Sequence, residues 1–376
     1  MITFIVTKGS SALDFYAQEL AQKLLCEKLY TDYFEEVSRN SKSPWIINFA
    51  KSVKNDWRLI GQFNKQGGIL HLPNQHFGRF GFFLKKPFII TCHDLLKYFD
   101  LKRKGVFFQK PTIRGRVYLS MDFAGMRRAE KIIAISEHTK HDLISYLGIP
   151  EEKICVIYQG IDHEVFKPPR IIQKKINYPY ILYVGTEMQR KNFQGVIDAF
   201  KKLKAKREFK NLKLVKIGNA SSGWSHEKYR NISLNLIRSL NLENDVIFTG
   251  FLDKEELVSY YAGAECFVFP SFYEGFGFPP LEAMACGCPV VASNVSSLPE
   301  IVGNAGLLVN PNDHNAIAVA IESILSSEIL RDSLKKAGLE RAKLFSWQKT
   351  AEATLRVYQE VEEALNQNKK RHEITD

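Results

Sequence analysis

Residues 266–293, CFVFPSFYEGFGFPPLEAMACGCPVVAS, restrict the fold more than any other stretch. Cys266 to Pro270 is a short β-prone run that reads as a buried strand. Ser271 to Phe278 is a loop with two glycines. Pro279 and Pro280 then open a short helix, Leu281 to Ala285, which Gly287 stops. Pro289 to Ser293 reads as the next buried strand. Strand, loop, helix and strand in this order form a crossover unit, the building block of a parallel sheet in an α/β domain.

The loop carries the chemistry. Gly275 and Gly277 lack a Cβ, so the backbone can bend sharply and bring its amides close to a ligand. Proline suits the first helical position, where its missing N–H would go unpaired anyway. The helix start offers unpaired N–H groups and a positive dipole end, which suits a phosphate. Glu274 and Glu282 bracket this anion site. Carboxylates accept hydrogen bonds from sugar hydroxyls, so two at different depths can hold two sugars, a nucleotide ribose and a transferred sugar. The plainer reading makes Glu282 a complement to the helix dipole and Glu274 a solvated loop residue.

The stretch resembles the signature of the family 4 glycosyltransferases, two glutamates eight residues apart within PS-x-x-E-G-F-G-x-P-x-L-E-A-M-A-x-G-x-P-V-V. The matching residues are Pro270-Ser271, Glu274-Gly275-Phe276-Gly277, Pro279, Leu281 to Ala285, Gly287 and Pro289-Val290-Val291. The resemblance implies that Glu282 binds the nucleotide ribose and that Glu274 contacts the transferred sugar near the reacting centre. It implies a GT-B architecture, an α/β fold of two Rossmann-like domains facing a cleft, with a C-terminal helix crossing back to the first domain. The expected division is 1–168 for an acceptor domain, 169–346 for a nucleotide-sugar domain, and 347–376 for the crossover helix and a polar tail.

At 376 residues, two domains are the natural expectation. Apolar residues make up 45% and charged residues 25%, as in an ordered globular chain. No apolar run is long enough to span a bilayer, and Met1 to Gly9 has neither a basic n-region nor a long apolar core, so no signal peptide is expected. Six scattered cysteines fit reduced thiols and a cytoplasmic setting. The net charge of +11 points to an anionic partner: a nucleotide diphosphate, a lipid-phosphate acceptor, or the inner face of an acidic membrane. No nucleic-acid-binding motif is present.

Along the chain, Ile2 to Thr7 reads as a strand, Lys8 to Ser11 as a turn, and Asp14 to Leu29 as a helix. The family usually has a Gly-Gly turn here, near acceptor and donor phosphates; Gly9 and Ser10 match it in part. Pro87 to Thr91 is a buried strand running into Cys92-His93-Asp94. His93 follows a strand's carboxyl end, where open α/β sheets bind ligands. The resemblance implies that it reaches the transferred sugar; a buried or capping histidine is the alternative. Lys97 to Lys131 is strongly basic with interleaved aromatics, a candidate membrane contact or a solvated surface. Ser136 suits an N-cap, and His138 and His141 read as surface histidines. Gln159-Gly160-Ile161-Asp162 stands where the family shows N-G-V-D.

Lys167 to Pro179 reads as a linker, and Tyr180 begins the second α/β series of six strands. Arg190 and Lys191 lie just before a helix that begins near Asn192. Two cations at a helix start oppose its dipole, and a bound anion between them supplies the reason. In the family, an arginine and a lysine here bind the donor diphosphate. Lys191 fits the lysine; the arginine's usual place is Thr186 here, so that cation is missing or replaced by Arg190.

The expected activity is therefore retaining, metal-independent transfer of a hexose, such as mannose or glucose, from a nucleotide-diphospho-sugar to a sugar or lipid-linked acceptor. No Asp-x-Asp metal motif occurs, and no cofactor is expected beyond the donor substrate. The catalytic candidates are Glu274 and His93; the donor-binding candidates are Glu282, Lys191, Arg190, Gly275, Phe276 and Gly277. A same-fold epimerase, an inverting transferase with His93 or Asp94 as base, and a non-catalytic sugar-nucleotide-binding scaffold are the rivals.

Overall fold

The computed structural model describes residues 1–32, 45–102, 111–171, 175–218 and 224–375. It divides into two compact units, Met1–Gly160 with Trp347–Asp376, and Ile161–Ser346. The division thus falls at 160/161 beside the expected 168/169, and the final helix, Trp347–Thr375, belongs to the first unit.

The first unit contains the strands β1 (Ile2–Thr7), β2 (Glu27–Thr31), β3 (Ile69–Leu72), β4 (Phe88–Cys92), β5 (Lys131–Ala134) and β6 (Ile154–Val156), in the sheet order β2-β1-β3-β4-β5-β6. All pair in parallel. The apolar runs of β1, β3 and β4 are buried on both faces, as helices covering both sides require. One expectation fails here. The helix after β1 is Ala12–Lys23, not Asp14 to Leu29, and Glu27–Thr31 is a strand. Leu24 leaves the helix in an extended conformation. An edge strand needs only one partner, so the polar, largely exposed Glu27–Tyr30 gives no apolar run to recognise.

The second unit contains β7 (Tyr180–Val184), β8 (Lys213–Ile217), β9 (Val246–Gly250), β10 (Cys266–Phe269), β11 (Val290–Ser293) and β12 (Gly306–Val309). Their order is β12-β11-β10-β7-β8-β9, again all parallel. Strand order reverses between β7 and β10, and between β1 and β3 in the first unit. Such switch points open a crevice at the strands' carboxyl ends.

Candidate functional site

In the second unit, the loops after β7 and β10 flank the switch point. Asn192 fixes the first of them. It adopts a left-handed conformation (φ 54°), caps the helix Phe193–Lys204 through the Gly195 N–H, and donates to the Pro270 and Pro311 carbonyls at 3.1 and 2.8 Å. One buried side chain thereby ties the ends of β10 and β12 to the start of that helix. The neighbouring turn, Gln189–Lys191, is held to the second loop by the Phe272 N–H donating to the Arg190 carbonyl at 2.8 Å.

This framework brings three expected residues together. Lys191 Nζ lies 2.7 Å from Glu274 Oε1, and Arg190 Nη1 lies 3.2 Å from Glu274 Oε2. Arg190 also donates to the Tyr273 carbonyl at 3.0 Å, and Lys191 Nζ sits 4.9 Å from the Phe269 ring centroid. Burial alone would raise the Glu274 carboxyl. The two cations outweigh it and hold the group below its ordinary range. The Glu274 backbone is pinned too: its N–H donates to Ser296 Oγ at 2.9 Å, and Ser296 and Ser297 hydroxyls lie 2.6 and 2.9 Å from its carbonyl. Ser296 takes a positive φ of 61° to do so, a strained conformation held by these contacts.

Gly277 has φ +117°, and a Cβ there would stand 2.7 Å from Leu298 Cδ2, so glycine is required. The helix begins at Phe278, three residues earlier than expected, and runs to Ala285. This changes the anion site. Pro279 and Pro280 now occupy the first turn and contribute no N–H. The Leu281 N–H already bonds the Gly277 carbonyl at 3.4 Å. What this helix start brings to an anion is therefore chiefly its dipole. The Phe276 ring is buried against Phe278 and Phe345, and the Phe276 carbonyl accepts from the Ser297 hydroxyl.

Glu282 lies on the same helix, and its carboxylate accepts a hydrogen bond from Tyr261 at 2.9 Å. Burial pushes its carboxyl up to about 7, although the Tyr261 hydroxyl and Lys254 favour the charged form.

Beneath the β7 loop lies a feature the sequence reading did not single out. Lys216 of β8 and Glu187 have fully buried side chains, and Lys216 Nζ lies 2.8 Å from Glu187 Oε1. Arg230 approaches the same oxygen at 3.5 Å, while the neighbouring Tyr229 donates to Gln189 Oε1 at 2.9 Å. Lys216, interrupting the apolar run that follows Lys213 in the strand KLVKI, was the available signal.

In the first unit, His93 follows β4 and is buried. Its Nε2 donates to the Pro73 carbonyl at 2.9 Å, which leaves Nδ1 to accept from Gln159 Nε2 at 3.3 Å. Tyr16 packs edge-on at 4.7 Å. Burial lowers its pKa to about 4, so the ring is neutral near pH 7. Asp94 accepts from the Leu96 N–H at 3.0 Å, where the following helix begins. Gly9 and Ser10 lie past the end of β1; a side chain at Gly9 would collide with Asp14, which pairs with Ser11 in a capping box. Ser136 is an N-cap, accepting from the Thr139 N–H at 3.1 Å. His138 pairs with Asp142 at 3.5 Å, and among the described residues no three His, Cys, Asp or Glu side chains gather as metal ligands. All six cysteines are free. Within the basic stretch 97–131, residues 103–110 lie outside the described residues.

Residues 167–341 match the family described as glycosyl transferases group 1, and residues 27–165 match glycosyltransferase family 4. The chain is 34% identical over 237 residues to O-antigen chain mannosyltransferase B of Escherichia coli, covering 61% of this chain and 60% of that protein. It is 32% identical over 274 residues to the E. coli serotype-specific mannosyltransferase WbdA, covering 70% of this chain but only 32% of that much longer protein. An uncharacterized glycosyltransferase of Methanocaldococcus jannaschii is 30% identical over 303 residues, covering 72% of this chain and 74% of its own. Among solved structures, sucrose-phosphate synthase from Thermosynechococcus elongatus superposes with a TM-score of 0.76 at 23% identity, covering 96% of this chain and 99% of its own. Anabaena HepE in complex with UDP-glucose does so with a TM-score of 0.76 at 18% identity and the same coverage. The architecture is thus the α/β GT-B fold, and the chain belongs to the glycosyl transferases group 1 family.

Proposed function

We propose that this protein is a retaining glycosyltransferase that moves a hexose from a nucleotide-diphospho-sugar to a sugar or lipid-linked acceptor, without a metal ion. The observation that carries the reading is the meeting of Arg190, Lys191 and Glu274 at the switch point of the second sheet. Two cations there suit a pyrophosphate, and a carboxylate beside them suits the sugar attached to it. Glu282 would accept from the ribose hydroxyls. The mannosyltransferase names of the relatives favour mannose as the sugar, and HepE, solved in complex with UDP-glucose, favours a nucleoside diphosphate carrier.

In this mechanism the bond from the anomeric carbon to the departing phosphate oxygen breaks, and the acceptor oxygen bonds to that carbon on the same face. The acceptor proton passes to the departing phosphate. Lys191, Arg190 and the positive end of the Phe278–Ala285 helix stabilise the charge that develops there. Glu274 positions the sugar and forms no covalent bond. His93 transfers no proton, because both ring nitrogens already have partners. An inverting enzyme would need a base, and the engagement of His93 and of Asp94 tells against that reading.

The test is a thermal-shift panel of nucleoside diphosphates and their sugars on the wild type and Glu282→Ala, followed by NMR of the product formed with and without EDTA. We expect one nucleotide to stabilise the wild type clearly and the variant much less, and the product to keep the donor's anomeric configuration in EDTA. At saturating donor, where donor affinity no longer contributes, the pH profile of kcat should show no histidine limb between about pH 6 and 8. An inverted product, or loss of turnover in EDTA, overturns the corresponding part of the proposal.

A further inference from the structure

The first unit carries a built surface that donor chemistry does not use. The helix Trp45–Lys65 buries Leu59, Ile60 and Phe63 in the core. Its outward face is basic, with Lys51, Lys54, Arg58 and Lys65 exposed at helical spacing. Its one acid, Asp56, is turned to Arg79 at 3.7 Å. Among these cations Trp57 is 58% exposed, with its indole 5.2 Å from the Phe83 ring. Phe83 and Phe82 are exposed as well, and the Arg128 guanidinium lies 5.8 Å from the Phe82 ring. Asn64 locks the arrangement: its Nδ2 donates to the Phe83 carbonyl at 3.1 Å, and its Oδ1 accepts from the Lys85 N–H at 2.9 Å. The backbone that carries Phe83 and Lys85 is thereby tied to the helix.

Exposed aromatic rings set among lysines and arginines match an anionic bilayer surface. Indole and phenyl groups settle at the headgroup–acyl boundary, and the cations meet lipid phosphates. Protein interfaces, by contrast, are depleted in lysine, in which this face is rich. We propose that the Trp57–Phe82–Phe83 surface, with its flanking Lys54, Lys85 and Arg128, docks the first unit on an anionic phospholipid surface.

The surface also has a direction. Phe82 and Phe83 precede β4, and Arg128 precedes β5, so they lie at the amino-terminal edge of the sheet. His93 and Gly9 lie at its carboxyl edge. Docking leaves the carboxyl edge facing away from the lipid, roughly one strand length or about 15 Å from the docked edge. Where the transferase reading holds, the acceptor must be a glycan long enough to present its end sugar at that height.

The experiment is co-sedimentation of the full chain with vesicles of phosphatidylcholine alone and vesicles containing one third phosphatidylglycerol. We expect binding only to the second kind, weakening as salt is raised. The pair Lys54→Glu/Arg128→Glu should lower binding at least about tenfold, because each cation near an anionic surface is worth roughly fivefold. Trp57→Ala/Phe83→Ala should remove the part that persists in high salt. Brominated acyl chains should quench the wild type more than Trp57→Phe. Lys65→Glu/Lys85→Glu is the second charge pair should the first fail to fold, and donor binding serves as the folding control in every variant. Equal binding to both vesicles, no binding to either, as an acidic protein partner would give, or full binding by the folded charge variants each overturns the proposal. None of these outcomes touches the donor reading, which the nucleotide panel tests separately.

Discussion

Lys191 Nζ and the Glu274 carboxylate form an ion pair 2.7 Å apart, and Arg190 completes the cluster at 3.2 Å. In the proposed mechanism these groups serve different parts of the donor, the cations its pyrophosphate and the carboxylate its sugar. Donor binding then becomes an exchange of partners: the pyrophosphate competes with Glu274 for the cations, and the released carboxylate turns to the sugar. Glu274→Gln keeps the shape and removes the competitor. We expect a nucleoside diphosphate without sugar to bind the variant about five- to thirtyfold more tightly, as loss of roughly 1–2 kcal/mol of competition implies. Turnover should fall about a hundredfold or more. Calorimetric titration with diphosphate, alongside a donor-consumption assay, checks both. Weaker diphosphate binding in the variant would mean that Glu274 orients the cations rather than occupying them.

How far this cluster was legible depends on which contacts are local. The strands β4, β7, β10 and β11 announce themselves as apolar runs bounded by glycine and proline, and the basic pair Arg190-Lys191 stands out because cations are unfavourable at a helix start. Pairing of that pair with Glu274 is not local. It follows from β10 lying beside β7, although β8 and β9 intervene in the chain. The strand β2 escaped because Leu24 and Leu25 extend the helical spacing of the preceding segment, and polar edge residues do not contradict it. Pro279 and Pro280 marked the helix correctly but not its start: the turn begins at Phe278, and the prolines that signal an anion-binding terminus also remove two of its donors. The role of Gln159 toward His93 had no local signal, since β6 and β4 meet only across β5.

Glu282 should make both stability and nucleotide affinity depend on pH near neutrality. Its carboxyl is pushed up to about 7 by burial, whereas an unfolded glutamate titrates near about 4.3. Between these values the folded protein holds more protons than the unfolded chain, so this group's contribution to stability falls as pH rises through the window. The ceiling is about 4 kcal/mol. Glu282→Gln removes the slope, so the variant should gain stability over the wild type at about pH 8 and not at about pH 4.5. Nucleotide binding runs the other way. A ribose diol donates to the carboxylate, so wild-type affinity should decline about tenfold per pH unit below the folded pKa, while the glutamine variant binds weakly at every pH. Urea unfolding and nucleotide titration at matched pH values check the two slopes, and a flat wild-type profile would place the Glu282 carboxyl outside this range.

Glu187 and Lys216 support the β7 loop from within, and each makes the other tolerable in a site closed to water. Burial depresses the Lys216 ammonium, and Glu187 at 2.8 Å acts against that. Replacing one partner strands the other, so Lys216→Met should cost about 3–5 kcal/mol. Pairing it with Glu187→Gln should recover much of that loss, because the double variant buries no lone carboxylate. The recovered variant is the informative one for function. Arg190 and Lys191 follow Glu187 within one turn of chain, and Tyr229 and Arg230 hold that turn through Gln189 and Glu187. Without the charges, the loop should keep its fold but lose its fixed height above β8, which raises the donor KM several-fold with a smaller change in kcat. Denaturant unfolding of the single and double variants, with donor kinetics on the double, tests this. An unchanged KM in a double variant of restored stability would confine the pair to the core.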